Sequence, residues 1–135
     1  MLDTNALIDL VFGRSDRLDV RFSDAVVDEA PLFLSTISLY EFRFGAERSR
    51  RRAFQLEALE RFLASVTVVN FDARDAERAA LVKGTLAARG EMIGPYDLLI
   101  AAQALERDLA LVSANKREFA RVEGLDLEDW TAAPV

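Results

Sequence analysis

The chain has 135 residues, of which 51% are hydrophobic and 30% charged, a composition that suits one compact soluble domain with a real core. Its net charge is −6, and it contains no cysteine and no histidine. Disulfides, thiolate metal sites, Ser-His or Cys-His nucleophile pairs and a broadly basic nucleic-acid-binding surface are therefore excluded, leaving carboxylates, lysine, tyrosine, hydroxyls or a hard metal ion to carry any chemistry. No apolar run reaches the roughly 18 residues of a transmembrane helix, and MLDTNALIDL lacks the basic start of a secretory signal. A cytoplasmic protein with no membrane segment is expected.

In chain order, Met1-Leu2-Asp3 predicts a short first strand, followed by a helix from about Asn5. LFLST, Leu32 to Thr36, predicts a second strand, with a helix opening near Ser38. Ala, Leu, Arg and Glu recur at helical spacing from Arg50 to Ala64 and from Asp72 to Arg89, flanking a third strand in VTVVNF, Val66 to Phe71. Gly90 to Pro95 is a break, and Pro95 suits the first turn of a helix from Tyr96 to Arg107. That helix is apolar almost all round, so it belongs in the core or at a subunit interface. LALVS, Leu109 to Ser113, predicts a fourth strand. Strands alternating with helices imply crossover connections and a parallel sheet. With no linker or repeat, the reading is one three-layer α/β/α domain over residues 1–135.

Three acids share one kind of position. Asp3 ends the first strand, Glu41 follows the second, and Asp97 lies in the first turn of the helix opened by Pro95. In a parallel sheet, helices that follow strands begin at the carboxyl edge, where distant residues converge. Clustered carboxylates repel one another, and a hard divalent cation such as Mg²⁺ or Mn²⁺ removes the conflict while favouring phosphate chemistry. Each acid also has a purely structural reading. Asp3 caps a helix, Ser38-x-x-Glu41 matches a capping box, and Asp97 favours a helix dipole. Capping suffices for Asp3 and Glu41 taken singly. Asp97 opens an apolar helix, where an unpaired charge is costly, and so points to function. Asp72 and Asp75 also follow a strand and stay open as site residues; Asp9, Asp16, Asp19 and Glu60 read as surface charges. The basic run Arg43, Arg48, Arg50, Arg51 and Arg52 is either a solvated helix face or a phosphate-contacting surface.

The stretches LDTNALIDL, TISLYEFRFGAERS, GEMIGPYDLLIAAQAL and LVSANKREFARVEGLDLEDW resemble, in order and over nearly the whole chain, PIN-domain toxins of the VapC type. The resemblance implies a parallel five-stranded sheet flanked by helices, its fifth strand near Leu125 to Leu127. It implies an acidic site of Asp3, Glu41 and Asp97 binding Mg²⁺ or Mn²⁺, with a fourth position at Asn115 and support from Thr4, Asn5 and Ser113. Asn115 is neutral, so it would orient a water or ligand; otherwise it caps a short helix through Asn115-x-x-Glu118. Three departures from the family pattern stand out: Gln103 in AAQAL replaces a histidine at no expected catalytic cost, SAN replaces TNN, and only two residues precede Asp3. Either a start upstream or a truncated first strand follows from the last.

The function so implied is a metal-dependent endoribonuclease, the toxin of a type II toxin–antitoxin system, hydrolysing RNA phosphodiesters with metal-activated water. Arg43, Arg48 and Arg50 would hold the RNA backbone, a small cognate antitoxin would inhibit, and the apolar helices suggest a homodimer. The alternative is a non-catalytic PIN-fold interaction module, motivated by the short first strand and the neutral fourth position. A phosphoryl-accepting receiver domain lacks its paired acids and its lysine here.

Overall fold

The computed structural model describes residues 1–133. Asp3 ends an extended segment and caps α1 (Thr4–Phe12) by accepting a hydrogen bond from the Ala6 backbone N–H at 2.7 Å. Gly13, at φ 63°, closes that helix in the left-handed conformation. Ser15 then caps α2 (Asp16–Val27), a helix the sequence pattern did not reveal, with Asp16 and Asp19 in its first turn. Strand β1 (Phe33–Ser35) runs directly into α3 (Thr36–Glu47), and α4 (Arg52–Leu63) leads to β2 (Thr67–Val69). Then come α5 (Ala73–Arg89), closed by Gly90 at φ 67°, and α6 (Pro95–Glu106), opened by proline at its first position. The described chain finishes with β3 (Leu111–Val112), α7 (Lys116–Phe119) and β4 (Leu127–Glu128).

The strands pair in parallel, β1 with β2 and β3 with β4, as the alternation predicts. The described residues form these two two-stranded ladders in place of the single five-stranded sheet expected from the resemblance, with Leu2 making only isolated parallel bridges to Leu34 and to Val112. The strands are two or three residues long, and the first segment contributes only one bridged residue. Its backbone is nonetheless held on both sides: Leu2 N donates to Phe33 O at 2.9 Å, and Asp3 N donates to Val112 O at 3.0 Å.

Alternation along these segments makes two cores. Met1 and Leu111 face Leu86, Ile93, Ile100 and Phe119, under α5, α6 and α7. Leu2, Leu34 and Val112 face Leu7, Leu18, Phe42 and Leu59, under α1 to α4. Successive strand residues thus feed opposite faces, and helices cover both. Each fully buried leucine contributes about 1.5 to 3 kcal/mol, so the short ladders are held chiefly by what packs above and below them. Among the described residues, no helix is long and apolar enough to cross a membrane.

Candidate functional site

Because the strands are parallel, the segments leaving Leu2, β1 and β3 emerge on one edge, and α6 opens beside them. Asp3 sits there, 2% exposed. It both caps α1 and belongs to an acidic cluster, so the two roles expected of it coexist. Burial pushes the Asp3 carboxyl pKa up, as do the charges of Asp9 and Glu41; hydrogen bonds from Ser113 and from the Ala6 N–H pull it down.

Glu41 lies in the middle of α3, since that helix opens at Thr36 with Ser35 as its cap. The capping box expected from Ser38-x-x-Glu41 is therefore absent. Glu41 instead accepts a 2.7 Å hydrogen bond from Thr4 Oγ1, which lies 3.1 Å from Ser38 Oγ. A hydroxyl has one proton to give, so Thr4 donates to Glu41 and Ser38 can donate its own proton to Thr4. Residues from α1 and α3 are thereby tied together beside Asp3.

Asp97 is the third residue of α6 and has the strongest perturbation. Its pKa is raised from 3.8 to about 6, first by burial and then by the charges of Asp3, Glu41 and Glu118. Each charged group in that set is an acid, and none of them stabilises the ionised form. Gly94 lies against this carboxylate: a Cβ there would stand 3.6 Å from Asp97 Oδ2.

Glu118 is the site residue that the sequence pattern did not reveal. Asn115 begins α7, but its side chain does not cap the helix. Its Nδ2 donates to Glu118 Oε2 at 2.8 Å, and its backbone N–H donates to Ser113 Oγ at 2.9 Å. Asn115 thus aims Glu118, which becomes the fourth acid, and Ser113 links the Asp3 carboxylate to the start of α7. The spacing of Asn115 and Glu118 was visible in the sequence, but it fits a capping box equally well. Asn5 is exposed and lines, with Asp9 and Ser113, a cleft of about 20 Å³ beside the acids.

Two tyrosines that sequence reasoning passed over flank the cluster. Tyr40 precedes Glu41 and Tyr96 precedes Asp97; their hydroxyls lie 3.4 Å apart and their ring centroids 5.5 Å apart. The pair raises the Tyr96 phenol pKa and bridges α3 to α6 at the rim. The repeated tyrosine–acid dipeptide was the available signal.

Asp72 and Asp75 lie outside the site. They form a reciprocal capping box at the start of α5. Asp75, fully buried, pairs with Arg107 at 2.9 Å and accepts from Gln103 Nε2 at 3.3 Å. Gln103 also donates to the Asn70 carbonyl, so this position serves the fold. In the basic run, Arg43 pairs with Glu60 at 3.4 Å and Arg52 with Glu47 at 2.7 Å, while Arg48 lies over the Phe44 ring and Arg50 is exposed.

The donor chemistry of the four acids fits a hard cation: oxygen ligands, mutual repulsion and no cationic side chain among the groups acting on Asp97. Among the described residues, no three or more such side chains are drawn into a cage that would ligate a metal directly.

A parallel α/β domain with carboxylates gathered at one strand edge is the class these features define. The PIN-domain family model matches residues 1–125. The chain is 34% identical over 131 residues to the tRNA(fMet)-specific endonuclease VapC of Shigella flexneri, covering 97% of each protein. It superposes on the DNA-bound VapBC of Salmonella typhimurium with a TM-score of 0.89 at 34% identity, covering 96% of each chain. For VapBC2 of Rickettsia felis, bound to a promoter DNA fragment, the TM-score is 0.90 at 28% identity, covering 96% of this chain and 97% of that one. The chain belongs to the PIN-domain family, among the VapC ribonucleases.

Proposed function

We propose that this protein is a metal-dependent endoribonuclease, the toxin of a toxin–antitoxin pair. The observation that carries this reading is the convergence of Asp3, Glu41, Asp97 and Glu118, in a chain similar throughout to proteins named as VapC ribonucleases. Asp3 and Asp97, with Glu41, would hold Mg²⁺ or Mn²⁺. When bound, the cation supplies positive charge that activates a water and stabilises the leaving oxygen of an RNA phosphodiester. Thr4 fixes the Glu41 carboxylate, Ser113 that of Asp3, and Asn115 that of Glu118. In the metal-free protein Asp97, its pKa raised to about 6, is the acid that most readily holds a proton near neutral pH, and the cation would have to displace that proton.

The remaining features support the same reading. The Leu2 segment would act as the central strand that joins both ladders into one five-stranded sheet, placing Asp3 at its middle. A small antitoxin with a basic side chain would quench the acids, as the VapBC assemblies of the relatives suggest. The exposed Tyr40, Phe44, Met92 and Tyr96 side chains support a homodimer, and the protein would act in the cytoplasm. The test is incubation with a labelled pool of structured RNAs in Mg²⁺, in Mn²⁺ and in EDTA, beside Asp97→Asn purified identically. Cleavage that needs metal and is absent from the variant is expected. Equal cleavage by both proteins would mean contamination and would remove the support; RNA binding by both without cleavage would make this a non-catalytic module.

A further inference from the structure

Away from the acids, a pocket of about 450 Å³ opens between the carboxyl end of α1 and the face of α4. It is lined by Arg14, Arg51, Arg61, Phe12, Phe54 and Gln55 with two small apolar neighbours, and no carboxylate lines it. Among the described residues, none of these three arginines makes an ion pair. The contrast with Arg43 and Arg52, both paired, is informative in a chain of net charge −6, where acidic partners are plentiful. Two of the guanidinium groups are held over aromatic rings. Arg14 stands 5.2 Å from the Phe12 centroid, and Arg51 stands 4.2 Å from that of Phe54, itself 49% exposed.

We propose that this pocket is a binding subsite for single-stranded RNA, taking backbone phosphate on the three arginines and a nucleobase against Phe54. This rests on the ribonuclease reading. A nuclease whose reacting edge is acidic needs its backbone contacts elsewhere, and unpaired guanidinium groups with an open aromatic face match phosphate and base together. The helix α1, 9 residues long, links the subsite to Asp3. At 1.5 Å per residue the two ends are about 13 Å apart, a span one strand of RNA bridges without a second protein domain. The subsite shares Arg51 with the basic run noted in the sequence, but otherwise differs from the Arg43, Arg48 and Arg50 surface, which lies on and just beyond α3.

The test is fluorescence anisotropy of the full chain in EDTA with a labelled single-stranded RNA of roughly ten nucleotides. Two triple variants are compared: Arg14→Gln with Arg51→Gln and Arg61→Gln, and Arg78→Gln with Arg89→Gln and Arg121→Gln, which removes equal charge elsewhere. The first should lose tenfold or more in affinity, and its salt slope should fall by about 2, from the loss of three phosphate contacts on a single strand. The second should match the parent. Phe54→Ala should weaken binding about fivefold or more with the salt slope unchanged. Equal losses in both triple variants, or no loss in the first, would overturn the subsite. So would an oligoglutamate peptide binding the pocket more tightly than RNA, which would make it a protein-docking groove. Metal-dependent cleavage by the same purified proteins, measured in Mg²⁺ in place of EDTA, separates the two ideas: a parent that cleaves while the pocket variant binds normally refutes only the subsite.

Discussion

Replacing Asp97 with asparagine should stabilise the metal-free protein at neutral pH. The carboxylate is isosteric with the amide, so the change removes charge and little else. In the folded chain the Asp97 pKa is raised from 3.8 to about 6 by burial and by Asp3, Glu41 and Glu118. That gap corresponds to about 3 kcal/mol, which solvent screening at this half-buried side chain lowers to about 1 to 2 kcal/mol. The folded state holds the proton more tightly than the unfolded one, so the group's stabilising contribution is complete below pH 3.8 and is lost as the pH rises through about 6. The variant should therefore melt about 3 to 8 °C above the parent near pH 7 in EDTA, with the gap closing as the pH falls toward 4. Mg²⁺ should reverse the order. At about 100 times its dissociation constant it adds about 2.7 kcal/mol to the parent and much less to the variant. Differential scanning fluorimetry across pH, with and without Mg²⁺, reads both effects. A variant no more stable than the parent in EDTA, or Mg²⁺ stabilising the two equally, would refute the account of the site.

Thr4→Ala should reduce RNA cleavage about 10- to 100-fold by releasing Glu41, while Thr4→Ser, which keeps the hydroxyl, should restore most of it; initial rates over a range of Mg²⁺ concentrations check this. Glu118→Gln should lower cleavage and shift the pH–rate midpoint assigned to Asp97 downward, because one of the charges raising that pKa is gone. An unchanged profile would place Glu118 outside the cluster. Asn115→Ala should weaken cleavage through the loss of the 2.8 Å bond that aims Glu118, with little change in melting temperature. Gln103→Leu should cost about 1 to 3 kcal/mol in urea titrations by stranding buried partners, yet leave the cleavage rate of the folded fraction intact.

The α/β alternation was legible because α4, α5 and α6 are runs of 12 to 17 residues dominated by strong helix formers such as Ala, Leu, Arg and Glu, and they lie within two residues of their expected bounds. Helix α2 escaped because its sequence, DRLDVRFSDAVV, is rich in Asp, Val, Ser and Phe, which form helices less readily than the Ala, Leu, Arg and Glu of α4 and α5. The paired strands are two or three residues long, too short to show alternation, and their register depends on partners far away in the chain. Asp3 and Glu41 could be picked out by their position after strands and Asp97 by the apolar helix it opens, whereas Glu118 could not. Its role depends on Asn115 bending back along α7, and the same two residues at the same spacing would serve a cap. The distinction between Asp97 and Asp75 is also tertiary. Both are early-helix aspartates, but Asp75 meets Arg107 and Gln103, and the charges acting on Asp97 are all acidic.

That difference separates the acids that serve the fold from those proposed to serve chemistry. An acid needed only for capping is best served by a cation or by several N–H donors, and the caps of α5 have both. Asp75 has Arg107, and Asp72 accepts from two backbone N–H groups. At the other cluster the fold provides hydroxyls and an amide that fix orientation without neutralising charge, namely Thr4 for Glu41, Ser113 for Asp3 and Asn115 for Glu118. Orientation without neutralisation is costly for stability, since repulsion persists until something positive arrives. The cost falls most heavily on Asp97, whose neighbours leave its pKa near 6. A site organised only to support the fold would relieve this with a single lysine or arginine. On the reading proposed above, its polar neighbours would instead hold the carboxylates ready for a cation supplied from solution, so the Mg²⁺ dependence of stability tests that proposal as directly as cleavage does.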